Sequence, residues 1–162
     1  MKTINKFIGA IIAVSLMSTA VYADSLLFSG GGASTVSKST TTVGANVEYE
    51  VSLAKDIGVS LSQGFGYSDS QGSKFVGDTG IGMHYYIGHA RLRPFFGGSV
   101  SADYGATSLK WNVTPEVGVR YYINKDSAFL FGKVGYDFLL SGRSLNAGDS
   151  IAYKLGLGIS FK

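Results

Sequence analysis

The chain has no cysteine, so an exported protein of this size must be held together by something other than disulfides. No stretch sustains the three-to-four-residue spacing of apolar positions that marks an amphipathic helix, which excludes an all-α fold. Only one apolar run is sustained, at residues 7–17, and its roughly 11 residues fall well short of the roughly 20 that a membrane-spanning helix needs. Charge of one sign is also missing. The formal net charge is +3, and the even mixture of acids and bases removes the case for a nucleic-acid partner. There are only two histidines, His84 and His89, too few for the usual cluster of metal ligands.

The apolar run follows Lys2 and Lys6 and ends in small residues up to Ala23. That order is the pattern of a secretory signal cleaved after Ala23. The sequence therefore divides into a signal peptide at residues 1–23 and a single domain at 24–162. Removing the two leader lysines from fourteen basic residues, against eleven acidic ones, lowers the charge to +1.

The domain is dominated by alternation with a period of two. In its last segment Ile151, Tyr153, Leu155, Leu157, Ile159 and Phe161 alternate with Ala152, Lys154, Gly156, Gly158, Ser160 and Lys162. The same pattern recurs at 42–53, at 57–68 with Gln63 as the one polar exception on the apolar side, and at 109–123. Weaker strands are expected at 75–88, 92–104 and 127–141, with a short glycine-rich one at 25–32. Short turns at 55–56, 88–91 and 124–126 alternate with connections at 33–39, 69–74, 105–108 and 142–149. Eight strands imply an all-β, eight-stranded antiparallel up-and-down barrel with both termini at one end.

Alternation does not say which face points inward, because a soluble barrel is apolar inside. The glycines decide it. Gly58, Gly64, Gly66, Gly80, Gly82, Gly118, Gly135, Gly156 and Gly158 lie on the polar face. A water-facing strand gains nothing from glycine, whereas the crowded interior of a narrow barrel needs small residues beside large ones. The polar face also carries Arg93, Lys110, Arg120, Lys133 and Lys154 beside Glu48, Glu50, Asp78, Asp103, Glu116 and Asp137. These eleven are expected to pair in the interior, because a stranded buried charge costs roughly 3–5 kcal/mol. The apolar face is then left to meet lipid in a transmembrane β-barrel. Aromatic residues near the strand ends fit two interfacial girdles. One is expected from Tyr85, Tyr86, Phe95, Phe96, Tyr121, Tyr122, Phe129 and Phe161, the other from Phe65, Tyr67, Phe75, Tyr104, Trp111 and Phe138. Pro115 interrupts the sixth strand, where its missing N–H predicts a bulge or a lost ladder bond.

With these features in place, the chain resembles the small outer-membrane β-barrel proteins typified by the transmembrane domain of outer membrane protein A and by outer membrane protein X. The likeness spans residues 25–162 as architecture and is strongest at 113–122 (VTPEVGVRYY) and 133–138 (KVGYDF). It implies residence in the outer membrane of a Gram-negative cell envelope, among its lipids and lipopolysaccharide. It also implies passage by periplasmic chaperones to the barrel-assembly machinery, which reads a terminal aromatic residue. Phe161, next to last, would serve as that assembly signal. A monomer is expected.

No catalytic residue, cofactor or metal ligand set is expected. Enzymes of this membrane that the fold resembles need a histidine with a serine or acidic partner near the outer rim, and both histidines fall toward the short-turn end. Residues 30–32, three glycines, lack the following lysine and helix of a phosphate loop. Eight strands enclose just enough room for side chains, so the expected role is structural or surface-interacting with a filled interior. The alternative is a narrow porin-like channel gated by exchange of interior partners, Arg120, Lys133 or Lys154 among Glu48, Glu116 and Asp137. The polarity is checked by nitroxides on Leu157→Cys and Lys154→Cys in vesicles. The label at 157 should be the more accessible to oxygen, and equal accessibility would refute lipid contact at the apolar face.

Overall fold

A computed structural model describes residues 25–35, 40–69, 74–104, 109–124, 127–141 and 144–161. The signal peptide expected at residues 1–23 lies outside them. The strands are β1 (Ser25–Thr35), β2 (Thr40–Ala54), β3 (Ile57–Ser68), β4 (Lys74–Tyr86), β5 (Leu92–Tyr104), β6 (Lys110–Asn124), β7 (Ala128–Ser141) and β8 (Ser144–Ser160). Each pairs antiparallel with its neighbour in sequence, and β1 pairs with β8 to close the barrel. Closure leaves no unpaired edge, the condition for strands to stand in hydrocarbon. Ser25 and Ser160 meet at the seam with their hydroxyl oxygens 3.1 Å apart, so the two ends of the strand order share one rim.

Side-chain polarity is inverted relative to a soluble protein. Leu155 is 72% exposed and Leu53 69%, while Glu48 and Glu50 are each only 2% exposed. The outward row is almost wholly apolar. Gln63 and its cross-strand partner Thr79 are polar there and are satisfied within the wall: Gln63 donates to the Asp78 carbonyl and the Tyr104 hydroxyl and accepts from Thr79.

Several strands run longer than their side-chain pattern. β1 continues to Thr35 and β8 begins at Ser144, so 144–147 is ladder where the sequence suggests a loop. Beyond the apolar band a strand needs only a backbone partner, and Leu140 and Leu139 supply it to Leu145 and Asn146. The connection between β7 and β8 is therefore only residues 142–143. β4 stops at Tyr86 because Gly88 turns with φ +74°, a left-handed conformation that favours glycine.

The expected girdle at the short-turn end is half internal. Tyr86, Phe95, Tyr122 and Phe129 are buried in the lumen, while Tyr85, Phe96, Tyr121 and Phe161 face out. The reason is geometric: adjacent aromatic residues in a strand must take opposite faces. Tyr85 thus packs on Phe96 outside at 5.4 Å, and Tyr86 on Phe95 inside at 5.4 Å. At the other end Phe65, Tyr67, Phe75 and Trp111 are exposed on the outer face as expected.

Pro115 produces a gap in the ladder with no bulge at that step. Pairing between β6 and β7 passes from Val113–Phe138 to Glu116–Gly135 in unchanged register, skipping Thr114 and Pro115. The Thr114 hydroxyl donates instead to the Asp137 carboxylate at 2.6 Å. On the other side of the same step, β8 carries two extra residues between Ala147 and Ser150.

The interior glycines make room for specific neighbours. A Cβ on Gly158 would lie 2.1 Å from the ring of fully buried Phe129, and one on Gly64 1.9 Å from the Asp78 carboxylate. A Cβ on outward Gly30 would meet nothing nearer than 3.9 Å. Gly158→Val should destabilise the barrel by about 1–3 kcal/mol or more through overpacking, whereas Gly30→Ala should be within about 0.5 kcal/mol of wild type. Urea titration in vesicles, read by heat-modifiable gel migration, tests the difference.

Candidate functional site

The lumen is filled in three levels. At the short-turn end Leu27, Tyr122, Phe129 and Phe131 form a buried apolar cluster, with Tyr86 and Phe95 beside it. Inward-facing positions of β1, β4, β5, β6 and β7 converge here because a narrow barrel brings all its walls within side-chain reach.

Next comes a layer of ions. Glu48 and Glu50 project from β2, two residues apart and hence on one face. His84 projects from β4, Glu116 and Arg120 from β6, and Lys133 from β7; all are at most 8% exposed. Lys133 Nζ donates to Glu48 at 3.0 Å and to Glu116 at 3.4 Å. Arg120 donates to Glu50 at 3.1 Å and to the Tyr86 hydroxyl at 2.6 Å, and Tyr86 donates to Glu50 at 2.5 Å. The guanidinium also stacks on Phe129, 4.1 Å from its centroid.

His84 joins the two halves of this layer. Its Nδ1 lies 3.2 Å from Glu50 and its Nε2 2.6 Å from Glu116. A neutral imidazole has one N–H and can donate to one carboxylate, whereas the imidazolium donates to both. Counted as a cation, His84 together with Arg120 and Lys133 balances Glu48, Glu50 and Glu116. A balanced, hydrogen-bonded set is the condition under which charge is tolerated away from water.

Above this layer the lumen changes character. Asp78 and Asp103 are cross-strand partners, Asp103 accepts from Asn112 at 2.5 Å, and Asp137 accepts from Thr114. None of the three has an ion-pair partner among the described residues. Lys154, on the strand beside Lys133, acts through space on both Glu48 and Asp137 without closing a bridge to either.

The eleven charges expected inside therefore divide. Glu48, Glu50, Glu116, Arg120 and Lys133 are brought together, while Asp78, Asp103, Asp137 and Lys154 are half-buried above them. Two depart from the expectation. Lys110 is exposed at the far rim because it opens β6. Arg93 sits at the near rim, donating to the Gly88 carbonyl at 2.9 Å and to Asp56 at 3.3 Å. His84 and Tyr86 were missed as members. The signal available was their inward parity on β4, opposite the two glutamates of β2.

One arrangement bears on metal binding. Ligand atoms of Glu48, Glu50 and His84 lie within 4.8 Å of one another. Both nitrogens of His84 already face carboxylates, and Lys133 and Arg120 occupy the glutamates, so the arrangement does the work of an ion-pair layer. Four buried atoms, both amide atoms of Asn46, Oε1 of Glu48 and Nε of Arg120, have no hydrogen-bond partner among the described residues.

The fold is shared with proteins of one kind. Neisserial surface protein A superposes with a TM-score of 0.64 at 13% identity, covering 85% of this chain and 95% of that one. The N-terminal β-barrel domain of Pseudomonas aeruginosa OprF gives 0.55 at 15% identity, over 86% and 98%. A de novo designed transmembrane β-barrel gives 0.53 at 16% identity, over 86% and 97%. This is the small outer-membrane eight-stranded barrel fold. No family model matches the sequence, and no curated protein matches it.

Removing Lys133 strands Glu48 and leaves Glu116 to His84 alone. Lys133→Met should cost about 3–5 kcal/mol, and adding Glu48→Gln should recover part of that loss. Urea unfolding of the two variants and the Glu48→Gln single variant forms a double-mutant cycle, and additive losses would show that Lys133 and Glu48 do not interact.

Proposed function

We infer that this chain is an exported outer-membrane protein with a structural or surface-interaction role and a lumen closed by its own side chains. The observation that carries the reading is the layer joining β2, β4, β6 and β7 through His84, backed by the Phe129 cluster. A pore would have to break several hydrogen bonds between ions that are nearly inaccessible to solvent. Lipid and lipopolysaccharide would surround the apolar band, and the assembly machinery would receive the chain at Phe161.

An enzymatic role finds no support in the histidines. His84 has a carboxylate on each nitrogen, which leaves no ring nitrogen to act as a base. His89 is at a turn, 3.6 Å from Asp56.

The gated-channel reading draws on one observation, the acidic upper lumen, where Asp78, Asp103 and Asp137 have no paired cation among the described residues. The two readings separate in planar bilayers. Wild-type protein of verified heat-modifiable migration should show no stable conductance at neutral pH, and Lys133→Met should open steps. Stable wild-type steps of large conductance would refute the closed lumen.

A further inference from the structure

At the short-turn end the lumen widens into a chamber of about 530 Å³, within the size range of sites for small molecules. Lys55, Arg93 and Arg120 line it with three positive charges, against Glu50 as the one lining carboxylate. Both oxygens of Glu50 are already taken by Arg120, His84 and Tyr86, and Asp56 offsets part of Arg93 from behind. The hydroxyls of Ser25, Ser52 and Ser160 complete a polar wall.

Two guanidinium groups converge there on one ring. Arg93 lies 5.1 Å and Arg120 4.5 Å from the centroid of Tyr86. Arg93 is fixed by the carbonyls of Gly88 and Lys55, and Arg120 by the ion layer. Like charges held together in this way repel, and a bound anion would relieve the repulsion. Arg93 and Arg120 are direct cross-strand partners on β5 and β6, and both line the chamber. Two neighbouring guanidinium groups on one wall suit the planar recognition of oxyanions in which arginine excels.

We propose that this chamber binds a small oxyanion, the carboxylate or phosphate group of a solute, between Arg93, Arg120 and Lys55. The site borders the ion layer and shares Arg120 and Glu50 with it; its test reads binding, not conductance, so it is separate from the test of the closed lumen.

Isothermal titration calorimetry of the folded barrel in zwitterionic detergent, at constant ionic strength, tests it with inorganic phosphate and with acetate. Saturable one-to-one binding of at least one of them is expected, and which of the two binds tells a phosphate source from a carboxylate source. Lys55→Gln and Arg93→Gln should each weaken that binding about tenfold, a loss of the size expected for one charged contact. Lys110→Gln, at the opposite rim, should leave it unchanged. Lys55 is exposed and can be replaced without disturbing the fold, so its variant decides the matter should Arg93→Gln fail to fold. The proposal is overturned if wild type binds neither ion saturably. Equal weakening by Lys110→Gln and Lys55→Gln would overturn it too, since the affinity would then come from net charge alone.

Discussion

A chain that crosses hydrocarbon must satisfy its backbone N–H and C=O groups within its own wall, and the rest of this molecule follows from that requirement. With β-strands the requirement forces closure, and closure at eight strands fixes a lumen only as wide as the side chains that fill it. Any charge placed on the inner face is thereby brought against charges from the other walls. The glycines, the aromatic cluster and the ion layer are three responses to one shortage of space: Gly158 yields to Phe129, Gly118 to Phe95 and Gly64 to Asp78.

Within that space the ion layer takes its form from neutrality. Lys133 and Arg120 each bridge to β2, and His84 spans the gap between their carboxylates by using both ring nitrogens. Phe129 and Tyr86 cover the guanidinium faces that hydrogen bonds leave open. The layer therefore ties four strands across the barrel, in addition to the ladder that ties each strand to its neighbour. Where the ladder itself is interrupted, at Pro115, a side-chain bond from Thr114 to Asp137 crosses the same seam. Among the described residues the upper lumen has no comparable set, and the lower mouth has an excess of cations. A closed centre thus lies between two differently charged groups of described residues.

Much of this was legible in the chain. Strand number, order and orientation follow from local alternation together with the glycines of the polar face. The departures are instructive. Residues 144–149 look like a loop in composition, yet the backbone of β7 pairs with 144–147. The doublets Tyr85–Tyr86 and Tyr121–Tyr122 look like girdle residues in composition, but strand parity sends one ring of each to the lumen. Lys110 and Arg93 have the right parity and the wrong depth. Parity is a property of neighbouring residues, whereas depth depends on where a strand begins within the closed barrel.

The sequence by itself determined the wall, because a period of two is written residue by residue and needs no distant partner to be read. Only the tertiary structure decided the contents of the lumen. Lys133 meets Glu48 across 85 residues of chain and Arg120 meets Glu50 across 70. Which inward side chains share a level is set by the stagger of each strand against the next, summed around the closed barrel. That sum brings His84 between Glu50 and Glu116 and leaves Asp78, Asp103 and Asp137 above them, without an ion-pair partner among the described residues.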